Sequence, residues 1–129
     1  MRTNIKGDIG ELAVMKKYLE LGYWVSQPFG DDCPYDLLVD DKQGNIKKIQ
    51  VKYKQLSDTG VVNVRMLSNT GYPYKDTVDI IASYCPDTSK IYVVNLKEFS
   101  NEKELSLRTR PPLNGQRKNI HLAEDFELV

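Results

Sequence analysis

The chain has 129 residues, 40% of them apolar and 28% charged, which is enough apolar material for one core without staples and argues against disorder. No apolar run approaches the roughly 18 residues of a membrane span, the N-terminal stretch lacks the apolar segment of a secretion signal, and Cys33 and Cys85 are too few and too far apart for a disulfide framework or a zinc site. The expectation is a single domain, residues 1–129, of intracellular location (cytoplasm or nucleoid), not secreted, with free thiols.

The net charge is zero, yet it is unevenly spread. Lys47, Lys48, Lys52, Lys54, Arg65 and Lys75 are opposed over that span by Asp58 alone, and Arg108, Arg110, Arg117 and Lys118 form a second basic stretch. Such stretches are able to meet phosphate, or are solvated faces.

In chain order, Ile5, Ile9, Leu12, Met15 and Leu19 recur at helical spacing, predicting a helix near 4–21 with Thr3 or Asn4 as its cap and Gly22 as its end. Gly7 and Gly10 each cost that helix about 1 kcal/mol relative to Ala, which suggests close approach of another backbone. A short strand is expected at 23–28, with Trp24 in the core. Residues 35–40 and 46–54 alternate as two strands around the turn residues "DDKQGN", with Leu37, Val39, Ile49, Val51 and Tyr53 on the apolar face. "VVNVRM" at 61–66 reads as a third strand of the same meander. Residues 69–74 read as a loop, 78–84 and 90–96 as another strand pair, and the segment after Phe99 as loop, with a last short helix from about Leu122. The order predicts an α+β fold with a mixed central sheet flanked by helices.

The hairpin carries the chemistry. Asp36 lies seven residues before Gln43 and Gln50 seven after it. A turn centred on Gln43 therefore sets Asp36 opposite Gln50, about 5 Å apart at Cβ, with Lys52 as the diagonal neighbour at about 7–8 Å. A carboxylate, an amide oxygen and an ammonium then converge in a space fit for a hydrated cation. Mg²⁺ (or Mn²⁺) takes hard oxygen ligands and keeps several waters, and phosphodiester hydrolysis needs such a cation to polarise phosphate and acidify water. Asp36, the Gln50 amide and the Val51 carbonyl are candidate ligands, Lys52 a group to orient water or stabilise charge. Glu11, on the flank of the first helix beside Met15, is the best second carboxylate.

These residues carry a resemblance. "Pro34-Tyr35-Asp36" followed by "Gln50-Val51-Lys52" resembles the PD-(D/E)XK nuclease signature with Gln at the usual acidic position. A preceding helix bearing Gly10-Glu11 is similar to that of Holliday-junction resolvases and the restriction-endonuclease-like fold. The pattern "GDIGELAV…GY.V..P.GD..PYDLLVD…G…IQVK" resembles most the homing endonucleases of group I introns, which use the Gln-X-Lys variant. The likeness covers residues 3–54 well and continues weakly through "DIIASY", "KIYVV" and "LRTRPPLNGQ". It implies a Mg²⁺-dependent active site of Glu11, Asp36, Gln50 and Lys52, a double-stranded DNA substrate, and a homo-oligomer, dimer or tetramer. A structure-specific junction resolvase and a non-catalytic DNA-binding member of the same fold stand as alternatives.

DNA contacts are expected from Lys54, Arg65, Tyr72, Tyr74 and Lys75 on the strands and loop after the hairpin, and from Arg108, Arg110, Asn114, Gln116 and Arg117 in the C-terminal loop. His121 reads as structural or exposed and Cys33 as a buried thiol.

Overall fold

The helix α1 spans Thr3–Glu20 in the computed structural model of the chain, which describes residues 1–112, 114–115 and 119–129. Gly22 ends it as expected. Its left-handed φ of 91° lets Gly22 N–H donate to Leu19 O and Tyr23 N–H to Tyr18 O, both at 3.0 Å, the paired bonds of a Schellman cap. Tyr23 then meets Tyr18 edge-on, with ring centroids 5.0 Å apart. At the start, Arg2 occupies the capping position and no side chain caps the helix, contrary to the expected Thr3 or Asn4.

The buried stripe of α1 also differs from expectation. Gly10, Val14 and Tyr18 face inward, while Ile5, Leu12 and Leu19 are exposed. A row made of Gly, Val and Tyr is a weak signal beside Ile and Leu on the outer side. The small Gly10 belongs in it because the helix axis lies close to the sheet there.

The main sheet has the order β1-β2-β3-β5-β6, from Trp24–Ser26 (β1), Leu37–Asp40 (β2), Ile46–Tyr53 (β3), Ile80–Cys85 (β5) and Lys90–Asn95 (β6). All neighbours are antiparallel except β3 and β5, which run parallel. A second, three-stranded sheet has the order β4-β7-β8, from Val61–Arg65 (β4), Glu104–Arg108 (β7) and His121–Leu122 (β8).

The expected third meander strand is thus β4, which leaves the main sheet and pairs with β7. Its place beside β3 is taken by β5, whose Ile81, Ala82 and Ser83 are buried in succession. A central strand covered on both faces needs such a run, whereas β4 buries Val62 and Val64 and exposes Arg65. β7 falls inside the segment expected to be loop, because its alternation "ELSLR" is short and set among charges. In place of the expected last helix there is a 3₁₀ turn at Ala123–Phe126.

The layers follow from the two faces of the main sheet. On one, α1 packs Val14 and Tyr18 against Leu37, Val39, Ile49, Val51, Ala82 and Ile91. On the other, the second sheet packs Val62, Val64, Leu105 and Leu107 against Ile81, Cys85, Tyr92 and Val94. That second sheet covers β5 and β6, while Gln50 and Lys52 on β3 stay half-buried. Trp24 is 61% exposed, not in the core. Val25 takes the helix side of edge strand β1, so Trp24 points the other way and lies under the Lys42 ammonium at 5.1 Å. Cys33 is half-buried rather than buried. Among the described residues no helix is long and apolar enough to cross a membrane.

Candidate active site

The hairpin turn is built by Asp41. Its Oδ1 accepts from the N–H groups of Gln43 at 2.7 Å and Asn45 at 3.1 Å, and its Oδ2 from the Asn45 side-chain amide at 2.8 Å. Lys42 and Gly44 take left-handed φ values of 65° and 93°, as a tight turn requires. The strands pair Leu37 with Ile49 and Val39 with Lys47, so the hairpin pivots on Gln43. Asp36 lies just before β2, one residue outside the paired stretch that begins with Leu37 and Ile49.

Asp36 is held twice at this strand end. Its backbone N–H donates to Ile49 O at 2.9 Å, and its Oδ2 accepts from Val51 N–H at 2.8 Å. The second bond leaves Oδ1 for another partner. A strand residue sends its N–H and C=O to the same side, so the Val51 carbonyl also points where β2 has run out.

Glu11 reaches this corner because of Gly10. A Cβ at Gly10 would lie 3.5 Å from Tyr53 Cβ, 3.5 Å from Val51 Cγ1 and 3.6 Å from Lys52 O. The helix backbone therefore rests on the Val51–Tyr53 segment, and the next side chain is carried toward the hairpin end. Gly7, by contrast, has nothing within 4 Å, so the close approach expected of both glycines belongs to Gly10 alone. Glu11 and Asp36 line one groove of about 400 Å³, together with Gln27, Pro28, Gly30, Asp31, Cys33 and Tyr35. Burial raises the Asp36 carboxyl above its ordinary value, against the pull of the Val51 N–H and the Lys52 ammonium. Glu11 is raised too, first by burial and then by the charges of Asp36 and Asp8. Two carboxyls that resist ionising in one groove gain from a cation.

Lys52 Nζ donates to the Tyr74 hydroxyl at 2.7 Å. Its neighbour in register on β5 is Ser83, buried, with no hydrogen-bond partner for its hydroxyl among the described residues. Gln50 is half-buried on the same face. Among the described residues no three His, Cys, Asp or Glu converge.

A family model described as PD-(D/E)XK endonuclease matches residues 1–129. The chain belongs to the PD-(D/E)XK endonuclease family. Among solved structures, it is similar to the bacterial homing endonuclease I-Ssp6803I, with 25% identity and a TM-score of 0.72, over 98% of this chain and 87% of that one. No curated protein sequence matches. The fold is accordingly the restriction-endonuclease-like α+β core, and the chain is of the nuclease class.

The basic side chains expected to meet DNA are dispersed. Arg65 donates to Leu67 O and Ser68 O, Arg108 to Arg110 O, and Arg110 to Asp58 O. Lys75 donates to Ser100 O, Lys54 is half-buried at the end of β3, and Tyr72 is 73% exposed. Among the described residues the ion pair is Lys90 with Glu127 at 3.1 Å, so these cations are not tied to carboxylates. Asn114 is described within its loop, whereas Gln116 and Arg117 lie outside the described residues. Tyr74, expected to contact DNA, accepts a hydrogen bond from Lys52 through its hydroxyl. No sequence signal separates it from Tyr72, since the difference arises from how its loop folds back.

Proposed function

We propose that this chain is a divalent-metal-dependent endonuclease that hydrolyses phosphodiester bonds of double-stranded DNA at specific sites, in the manner of a homing endonuclease. The observation that carries the reading is the Asp36 carboxylate, pinned by Val51 N–H at 2.8 Å while Gly10 brings Glu11 to the same groove.

The donors at this corner fit Mg²⁺ or Mn²⁺. They are hard oxygens: the free Oδ1 of Asp36 and the Glu11 carboxylate, which line the groove, with the Gln50 amide and the Val51 carbonyl proposed as further ligands from β3. Two carboxylates with neutral oxygens match a cation that keeps several of its waters. When bound, the metal supplies Lewis-acid polarisation of the phosphate and a more acidic water. The chain's own residues do the rest. The Val51 N–H fixes one Asp36 oxygen and so aims the other. Gln50 contributes an oxygen without adding a charge. Lys52 has three donors, one of them on Tyr74, and the others serve the attacking water or the phosphate oxygens. Lys54, Arg65, Tyr72, Lys75, Arg108, Arg110, Asn114, Gln116 and Arg117 are the side chains proposed to meet DNA backbone and bases. One chain holds one such site, so cutting both strands of a duplex calls for a homo-oligomer, a dimer or a tetramer.

The test is cleavage of linear duplex, plasmid and four-way junction by wild type, Asp36→Ala and Lys52→Ala, with Mg²⁺ or with EDTA. The reading expects metal-dependent duplex cleavage by wild type only. Preference for the junction over every duplex would replace it with a resolvase, and absence of cleavage would replace it with a binding-only protein.

A further inference from the structure

Lys52 and Asp36 carry opposite charges on one hairpin, near enough that the Lys52 ammonium draws the Asp36 carboxyl down. Left to themselves they would pair. Among the described residues they do not, and Lys52 Nζ is drawn to the Tyr74 hydroxyl at 2.7 Å. The Tyr74 ring centroid lies 4.8 Å from the same nitrogen, so the oxygen, not the ring face, is the nearer partner.

Tyr74 is not a mobile loop residue free to follow the lysine. Its N–H donates to Met66 O at 3.0 Å, just past the end of β4, and its C=O accepts from Thr77 N–H at 3.0 Å and Val78 N–H at 2.8 Å. Leu67 and Pro73 pair as a bridge at the base of the same loop. The ring is half-buried against the core shared by the two sheets. The phenol therefore stands at a position set by the second sheet, and the lysine comes to it.

We propose that Tyr74 is a positioning residue: it holds the Lys52 ammonium away from Asp36, keeping the Asp36 carboxylate open for the metal and Lys52 free for water or phosphate. This deepens the metal-dependent reading above and rests on it. The consequence is specific. Removing the hydroxyl frees Lys52 to fold onto Asp36, where it competes with the cation. Metal affinity then falls in the Tyr74 variant, and it falls only while Lys52 is present.

The experiment is calorimetric titration of the DNA-free protein with Mn²⁺ in four forms: wild type, Tyr74→Phe, Lys52→Met and the double variant. Tyr74→Phe keeps the packed ring, and circular dichroism with thermal melting checks the fold. The expected result is an affinity about two- to fivefold weaker in Tyr74→Phe, the range to which a part-exposed ion pair converts. In the Lys52→Met background Tyr74→Phe should change nothing. Equal affinity in wild type and Tyr74→Phe, or the same loss with and without Lys52, overturns the positioning role while leaving the metal site standing. A wild type with no Asp36-dependent Mn²⁺ binding overturns the metal reading itself, and this inference with it.

Discussion

Substituting Gly10 tests how Glu11 is delivered to the site. A methyl group there would sit at 3.5 Å from Tyr53 Cβ, 3.5 Å from Val51 Cγ1 and 3.6 Å from Lys52 O, ordinary van der Waals separations. Gly10→Ala therefore fits without moving α1 and recovers the helix propensity that glycine forfeits, about 1 kcal/mol. For a chain of this size that is a rise in Tm of roughly 3–5 °C, with cleavage unchanged. Gly7→Ala, with nothing within 4 Å, should gain a similar amount and serves as the control. Gly10→Leu adds atoms beyond Cβ where β3 already lies, so overpacking costs about 1–3 kcal/mol. The helix must back away and carry Glu11 from Asp36, and cleavage should fall roughly tenfold or more, as misplacing a reacting group by an ångström does. Urea and thermal unfolding give the stabilities, and single-turnover cleavage below the melting range gives the rates. If Gly10→Leu is folded and cuts as fast as wild type, the close approach at Gly10 does not place Glu11. If Gly10→Ala is clearly less stable than wild type, the packing is wrong.

Two further predictions concern the carboxylates. Gln50→Glu adds a third acid to the proposed ligand set of Asp36 and Glu11, so Mn²⁺ binding measured by calorimetry should tighten about tenfold, while the metal-free protein loses on the order of 1 kcal/mol to like-charge repulsion; unchanged affinity would remove Gln50 from the ligand set. For Asp36, the ordinary value is 3.8 and the folded value is raised, so between the two the native state holds more protons than the unfolded chain and stability rises as pH falls. Asp36→Asn in metal-free buffer should thus be more stable than wild type at pH above the raised value. That advantage should shrink as pH falls through the raised value toward 3.8, and urea midpoints that differ equally at neutral and acid pH would contradict the burial assigned to this carboxyl.

The site hairpin was legible because its information is local. A symmetric turn about Gln43 sets Leu37 opposite Ile49 and Val39 opposite Lys47, and a one-residue slip would turn the apolar face of β2 away from the core. The glycines of α1 were legible only in part, since Gly10 has β3 beside it while Gly7 has nothing within 4 Å. What lay hidden depends on contacts distant in sequence. β4 has the alternation of a meander strand, and only the competing claim of the apolar β5 to the slot beside β3 sends it to a second sheet. β7 finds its partner some forty residues away, across Asn63 and Ser106 at 3.0 Å. The inward stripe of α1 was masked by exposed Ile5, Leu12 and Leu19, which mimic a core-facing arc. Tyr74 illustrates the same limit at the site, since its approach to Lys52 is created by the second sheet and leaves no trace in local spacing.

The central claim is that Asp36 and Lys52 act at a metal-dependent nuclease centre. Single-turnover cleavage of double-stranded DNA, with and without Mg²⁺, by wild type, Asp36→Ala and Lys52→Ala tests it most directly. The account predicts cutting by wild type that stops with EDTA and is lost in both variants while DNA binding persists. Cutting that survives both substitutions, or a wild type that binds duplex but never cleaves it with Mg²⁺ or Mn²⁺, would contradict it.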